Sequence, residues 1–524
     1  MTGSTPVSVP MSIVSRVSGV AAVVWGSSPL MFARRRLWVR VAVITGCVTI
    51  AAVVVTVNVA PDPAADFARR YIFPISLMRG WLPASVQSVT AVLLVCAVGW
   101  RTRRWRLGWL PVALVVGVGL AVGARWYVES AGVAGDPAPR SMWMWVGLTG
   151  VALGVVGVGW RGARWWRRWL SVLVVPLCLL SCALVVNRWV GYVPTVSTAW
   201  NQLTGGPLPD QTDRATVTAM QVKRVMPVKG VVVPVSISAA ASNFHHRDEL
   251  VYLPPAWFAS NPPPRLPVVM MIGAEFNTPT DWLRAGNVVS TADAFAAGHD
   301  GSAPVLVFVD SGGAFNIDTE CVNGSRGNAA AHLTKDVVPF MMSNFGVSPN
   351  RANWGVAGFS AGGTCAVDLA VMHPELFSAF VDILGDVSPS SGTKAQTIAR
   401  LFGGNADAWA AFDPATVITR HGLYREVSGW FIVAGGPGHP GDQDPAAKTL
   451  AALGRANGIE CAVVAEPGNH DWPFAATAFA AALPWLAGQV GSVGVPHIPL
   501  PAAAGAPGLS VQVAAAPSLT PTPS

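Results

Sequence analysis

Up to Val190 the apolar positions run in long unbroken blocks; beyond it they come in short runs separated by polar stretches. Five blocks approach the roughly 20 residues that a helix needs to cross a hydrocarbon core: Val41 to Ala60, Trp81 to Trp100, Leu107 to Ala124, Ser141 to Trp160 and Trp169 to Val186. None holds a charged side chain. Tryptophans stand at their edges (Trp38, Trp81, Trp100, Trp109, Trp126, Trp160, Trp169), where an amphipathic ring favours the headgroup level.

In the second half the short apolar runs predict strands at Val231 to Ile237, Glu249 to Leu253, Pro267 to Ile272, Pro304 to Val309, Asn353 to Ala357, Ala379 to Leu384, Trp430 to Val433 and Cys461 to Ala465. Helical patterns at Ser290 to Ala297, Asn328 to Asn344, Ala361 to Met372 and Pro445 to Asn457 fall between several of them. That alternation predicts an α/β domain with a mostly parallel sheet covered by helices on both faces. The chain therefore divides into a short N-terminal segment (1–36), an all-α membrane region (37–188), a turn-rich linker (189–229), an α/β domain (230–490) and a Pro- and Ala-rich tail (491–524) expected to be disordered.

Composition sharpens this picture. With 52% hydrophobic and 12% charged residues over 524 positions, the chain is too apolar for a wholly soluble protein. Its formal charge of +7 does not mark a nucleic-acid binder, because the arginines cluster between apolar blocks and form no basic stripe on a globular face. Arg34, Arg35, Arg36 and Arg40, then Arg101, Arg103, Arg104 and Arg106, then Arg161, Arg164, Arg167 and Arg168 fall on one side if five spans alternate. The positive-inside rule makes that side cytoplasmic and sends everything after Arg188 to the outer face. The first arginine cluster abuts the first span, which fits an anchor better than a cleaved leader. No ionisable or broken-helix feature at membrane depth suggests a transport path.

Candidate chemistry centres on Ser360, in "VAGFSAGGTCAVDLA". A buried strand, a turn of small residues (Gly358, Gly362, Gly363) and a helix ended by His373 and Pro374 form a setting that lifts a serine oxygen above the carboxyl edge of a sheet. The bare Gly-x-Ser-x-Gly pattern carries less weight, since 53 glycines are present; a packing turn is the bland alternative. A serine hydroxyl needs a base and an orienting acid, in the chain order serine, acid, histidine. His470 in "EPGNHDWPF" follows the last predicted strand, with His439 in "GGPGHPG" the alternative. Asp444 leads as the acid, although a helix N-cap is its plain reading, and Asp442 stands two residues earlier.

From about Lys229 to Leu486 these motifs resemble the putative-esterase branch of the α/β-hydrolases, which includes S-formylglutathione hydrolases, ferric-enterobactin esterases and antigen 85 mycolyltransferases. The resemblance rests on "VYLPPAW", "GFSAGG", "AVMHPELFSAFVDILGD", "GDQDP" and "GNHDW", in that order. It implies an eight-stranded sheet and a serine acyl-enzyme, with Ser360 as nucleophile, His470 as base and an aspartate between them. By the same topology the oxyanion hole combines the amide of Ala361 with that of Ala274. The sequence departs from mycolyltransferases, whose bulkier "GLSM" replaces "GFSAGG".

Seven cysteines remain. Cys47, Cys96, Cys178 and Cys182 lie in the apolar blocks and Cys461 in a strand, as packing residues. Cys321 and Cys365 flank neighbouring elements at the sheet edge and are expected to form a disulfide if that face is oxidising. His245 and His246 show no companion ligand at metal spacing, so no metal and no cofactor are assigned. The stretch from Val387 to Val427 leaves the sheet between two strands, as a substrate-selecting cap or a structural helical insertion. The sequence thus predicts a membrane-anchored serine esterase acting on lipid-like acyl esters, with a mycolyltransferase-type acyltransferase and a non-catalytic membrane scaffold as alternatives.

Overall fold

The computed structural model describes residue 72 and residues 75–501, except 100, 132–137, 161–162, 204–207, 209, 315–316, 437–438 and 441–443. The predicted span Val41 to Ala60, the N-terminal segment and most of the tail lie outside the described residues. From Ser76 onward the described residues form one compact unit.

Among the described residues, four helices are long and apolar enough to cross a bilayer: α1 (Trp81–Val98), α2 (Leu110–Ala131, entered through a π turn at Trp105–Trp109), α3 (Arg140–Gly159) and α4 (Trp165–Val190). Each overlaps a predicted block: α1 ends two residues short of it, α3 is shifted by one residue, α2 starts three residues later and runs seven further, and α4 is longer by four residues at each end. Small residues bring α2 and α3 together: a Cβ on Gly154 would press on the Ala113 backbone, and one on Gly150 would press on Gly117. Close backbone approach of this kind holds helices together where lipid supplies no hydrophobic drive. Val92, Val95, Val115, Val118 and Val122 point outward and are exposed.

The segment expected to be a linker contains helices at Val196–Leu203 and Arg214–Lys223. The second has a cap that the sequence displays, since the Asp213 side chain accepts from the Thr216 amide at 2.8 Å.

The α/β domain holds eight strands of five or more residues: β1 (Val231–Val235), β2 (Glu249–Leu253), β3 (Val268–Ile272), β4 (Val305–Val309), β5 (Trp354–Phe359), β6 (Ala379–Ile383), β7 (Ser428–Gly436) and β8 (Glu460–Glu466). Their order in the sheet is β1-β2-β4-β3-β5-β6-β7-β8, with a two-residue ninth strand, His439–Pro440, hairpinned onto β7. β2 runs antiparallel to β1 and β4, and the neighbours from β4 to β8 are parallel. β2 to β6 are buried along their whole length, which is why they read as mostly apolar runs, with Glu249 and Asp382 the charged exceptions.

The helices that matter below are α5 (Val288–Ala297), α6 (Val338–Phe345), α7 (Ala361–Met372), α8 (Lys394–Phe402), α9 (Asp444–Ala456) and α10 (Trp472–Gln489). In register, Ile272 pairs with Gly358, Phe359 with Ile383 and Ile383 with Ile432. The carboxyl ends of β3, β5, β6 and β7 therefore share one edge, and the loops leaving them converge there. The stretch 387–427 is a helical insertion: Leu401 and Phe402 of α8 build a small core of their own with Trp409, Phe412 and Val322.

Candidate active site

Ser360 sits between β5 and α7 with φ 58° and ψ −123°, a left-handed conformation costly for a residue with a side chain. Its neighbours impose it. The Ser360 amide donates to the Ile383 carbonyl at 2.8 Å, and its carbonyl accepts from the amides of Gly363 (2.7 Å) and Thr364 (3.1 Å) as α7 begins. The turn is so tight that a Cβ on Gly358 would overlap the Gly362 carbonyl, and one on Gly362 would overlap the Ile272 carbonyl. These glycines are contact requirements. Strand and helix are buried, yet Ser360 and Ala361 are half-buried and reach the surface.

Beside Ala361 opens a cleft that also touches Gly273, Ala274 and Asn277 from the loop after β3, and Gly312 from the loop after β4. Both residues expected to supply oxyanion amides thus line one cavity. The β3 loop is braced from within by the Asn277 amide, which donates to the Ala274 carbonyl at 3.1 Å. Arg247 braces it from one side, donating to the Asn277 carbonyl at 2.7 Å.

Arg247 is itself fixed by Asp310 at the end of β4, through bonds of 2.6 and 3.0 Å from its guanidinium and 2.7 Å from its amide. Burial pushes the Asp310 carboxyl up, but the bonds and charge of Arg247 outweigh it and hold the group below its usual range. Asp310 also accepts from the amides of Gly312 and Gly313, so one carboxylate shapes both loops. Sequence reading missed this pair because 63 residues separate its members.

The far wall of the cleft carries Asp318, Glu320 and Cys321. Burial and the neighbouring Asp318 charge raise Glu320 well above the usual carboxylate range, and its Oε2 accepts the Ser390 amide of the insertion at 2.9 Å. The expected disulfide is present: Cys321 is bonded to Cys365, with Cα atoms 5.6 Å apart, tying this wall to α7.

His470 follows β8 and is half-buried, with its ring centroid 5.3 Å from that of Phe359, the residue before Ser360. The backbone is anchored immediately after it. Asp471 caps α10 by accepting from the Phe474 amide at 3.0 Å, and Trp472 is fully buried edge-on to Phe359 and to Trp282. The structure thus brings Ser360, Ala361, Ala274 and His470 to one sheet edge. Asp444 is the first residue of α9, where its carboxylate is buried and receives Lys448 Nζ at 2.6 Å. Asp442 lies outside the described residues. His439 pairs through its backbone with Gly436 on the short added strand.

One expectation is corrected. His246 does have companions, because β2 and the turn before α6 bring Glu249 and His332 against it. Its ring stacks on that of His332 at 4.1 Å, and His332 Nε2 lies 3.0 Å from Glu249 Oε1. The three groups offer ligand atoms within 4.8 Å of one another. Their nitrogens are already engaged, however. His332 Nδ1 faces Asp336 at 3.3 Å, and both His246 nitrogens face backbone carbonyls, of Arg247 at 2.9 Å and Ile237 at 2.8 Å. Burial opposes charge on His332, while the bonds and charges of Glu249 and Asp336 outweigh it and raise its pKa. The cluster behaves as a buried ionic brace beneath β2 and β4.

Residues 245–486 match the family described as Putative esterase. An uncharacterized protein of Corynebacterium glutamicum is 28% identical over 427 residues, covering 78% of this chain and 95% of its own. That alignment is longer than the esterase match, so the likeness extends beyond it. Among solved structures, a ferulic acid esterase aligns with 50% of this chain and 98% of its own at 18% identity and a TM-score of 0.41. S-formylglutathione hydrolase from Agrobacterium tumefaciens covers 49% and 99% at 16% identity and 0.40. MPT51 of Mycobacterium tuberculosis covers 49% and 99% at 20% identity and 0.33.

Proposed function

We propose, from the premise that residues 245–486 belong to the putative-esterase family of α/β-hydrolases, that this chain is a membrane-anchored serine esterase whose outward-facing domain cleaves acyl esters of lipids or lipid-like molecules. The Ser360 oxygen attacks the ester carbonyl while His470 takes its proton, and the amides of Ala361 and Ala274 hold the oxyanion that forms. His470 returns the proton to the departing alcohol, leaving the acyl group on Ser360. Water then attacks that ester as His470 takes the water's proton, and collapse releases the acid with the proton returned to Ser360. An aspartate after β7, Asp444 or its neighbour Asp442, orients the imidazole.

The observation that carries this reading is the left-handed, half-buried Ser360 with the His470 ring packed against the preceding Phe359. Anchoring is supported by the four long apolar helices and their outward-facing valines. Orientation is supported by charge: Arg101 to Arg106 at the α1–α2 connection and Arg164, Arg167 and Arg168 at the start of α4 share one end of an alternating bundle, and α4 leaves at the other. The Cys321–Cys365 disulfide fits an oxidising outer compartment.

The test is fluorophosphonate labelling of the full-length protein in membranes, expected for the wild type and abolished by Ser360→Ala. Absence of labelling on folded wild-type protein would sink the serine-esterase reading. Lipid profiling of cells carrying Ser360→Ala is expected to show an accumulated acyl ester, and an unchanged profile would remove the lipid substrate. Supplying an acceptor alcohol separates release of free acid from acyl transfer.

A further inference from the structure

The turn that ends α4 reaches the catalytic edge. Gly191 closes the helix at φ 71°, its amide donating to the Asn187 carbonyl at 2.7 Å. The Asn187 side chain then clamps the returning chain in both directions, accepting from the Val193 amide at 2.7 Å and donating to the Val193 carbonyl at 2.8 Å. Tyr192 is held between these bonds. Its hydroxyl donates to Oδ1 of Asp281, a carboxylate only 1% exposed, whose Oδ2 accepts the Thr278 amide at 2.6 Å. Thr278 follows Asn277 in the loop that carries Ala274. On its other side the same turn touches the histidine loop: a Cβ on Gly191 would meet Asp471 and Pro473, directly after His470. The charge of Arg79, just ahead of α1, also acts on Asp471.

We propose that Tyr192 is a positioning residue for the active site: fixed by the end of membrane helix α4, its hydroxyl holds Asp281, and Asp281 holds the loop that presents the Ala274 amide. The inference rests on the esterase reading and deepens it. Besides its own turn bond, the oxyanion loop is braced by Arg247 from within the hydrolase domain and, through Asp281, by Tyr192 from the membrane region. An oxyanion donor acts only if it is already aimed when charge develops, so loosening one brace lowers the chemical step more than substrate binding. The membrane region is then part of the catalytic scaffold as well as its tether.

The experiment compares Tyr192→Phe with Tyr252→Phe in full-length, detergent-solubilised protein, using a short-chain p-nitrophenyl ester and a fluorophosphonate. Tyr252 on β2 is a matched control, a fully buried tyrosine donating to Asp293 at 2.8 Å away from the cleft lining. Tyr192→Phe is expected to lower kcat and the fluorophosphonate inactivation rate together by about tenfold, with KM changed less than twofold. Tyr252→Phe is expected to lower the melting temperature and leave kcat unchanged. Asp281→Asn, which weakens the same brace from its other member, should reproduce the kcat loss. Wild-type kcat in Tyr192→Phe, or an equal kcat loss in Tyr252→Phe, overturns the positioning role. A wild type inert to both reagents overturns the esterase reading itself and this inference with it.

Discussion

The His470 ring packs against Phe359 with centroids 5.3 Å apart, and the next residue along from Phe359 is Ser360. The nucleophile strand therefore supplies the surface that steers the proposed base. Phe359 is 3% exposed and also meets Trp472 edge-on at 5.1 Å, so one aromatic ring locates both the imidazole and the start of α10. Phe359→Leu keeps most of the core volume while removing the flat face. The expected result is a kcat reduced by about tenfold or more with a stability loss of about 1 kcal/mol. Steady-state kinetics alongside thermal melting check it, and a variant that melts lower but turns over normally would show that Phe359 only fills space.

The Cys321–Cys365 bond closes a loop with a sequence separation of 44, joining the acidic wall of the cleft to α7. Restricting an unfolded loop of that length is worth about 4 kcal/mol in the chain-entropy account. Reduction, or the double change Cys321→Ser with Cys365→Ser, is expected to lower the melting temperature by several degrees and to cut activity, because Glu320 and Gly312 share the cleft with Ala361. Full activity and an unchanged melt in the double variant would assign the bond no part in shaping the site.

How much of this was legible beforehand depends on where the signal resides. The strands were, to within two or three residues, because parallel strands buried on both faces must be short apolar runs such as "VVMMI" and "VLVFV". Ser360, with its glycines and the helix that follows, was legible because steric overlap leaves little choice at Gly358 and Gly362. Helix α10 was not: "WPFAATAFAAALPWLAGQ" is apolar around much of its circumference and carries Pro473 and Pro484, so it shows no amphipathic period. The supports of the site were also hidden. Arg247 with Asp310, Glu249 with His332 and Tyr192 with Asp281 are pairs separated by 63, 83 and 89 residues, and only the fold makes them neighbours.

Asp382, on β6 beneath the nucleophile turn, is 2% exposed, and burial pushes its carboxyl up to about 7, with the Gly385 amide bond opposing and the Asp386 charge assisting. Because the folded-state pKa is raised, the folded form holds a proton that the unfolded chain has released. Its stabilising contribution is complete below pH about 4, and is lost as pH rises to about 7, by up to about 4 kcal/mol at 1.36 kcal/mol per unit. Asp382→Asn keeps an oxygen for the Gly385 amide, which lies 2.7 Å away, and cannot ionise. Thermal melts should therefore show the variant gaining on wild type between pH 4.5 and 7.5. A constant difference across that window would mean that Asp382 does not titrate there.

The orienting acid is the part of the proposed triad whose position is contested within the chain itself. Asp444 stands at the start of α9 after β7, in the order a serine hydrolase requires, but its carboxylate is engaged by Lys448 at 2.6 Å. That lysine side chain is 65% exposed, so its hold is screened by solvent and weak, and releasing it costs little. If Asp444 orients His470, then Asp444→Asn removes the group that stabilises the imidazolium and should lower kcat by orders of magnitude at unchanged KM. Under the same assignment Asp442→Asn stays within a fewfold of wild type, and Lys448→Met keeps or raises activity by freeing the carboxylate. The opposite ranking, with Asp442→Asn crippled and Asp444→Asn active, would move the acid two residues upstream and leave Asp444 as the ion-paired first residue of its helix.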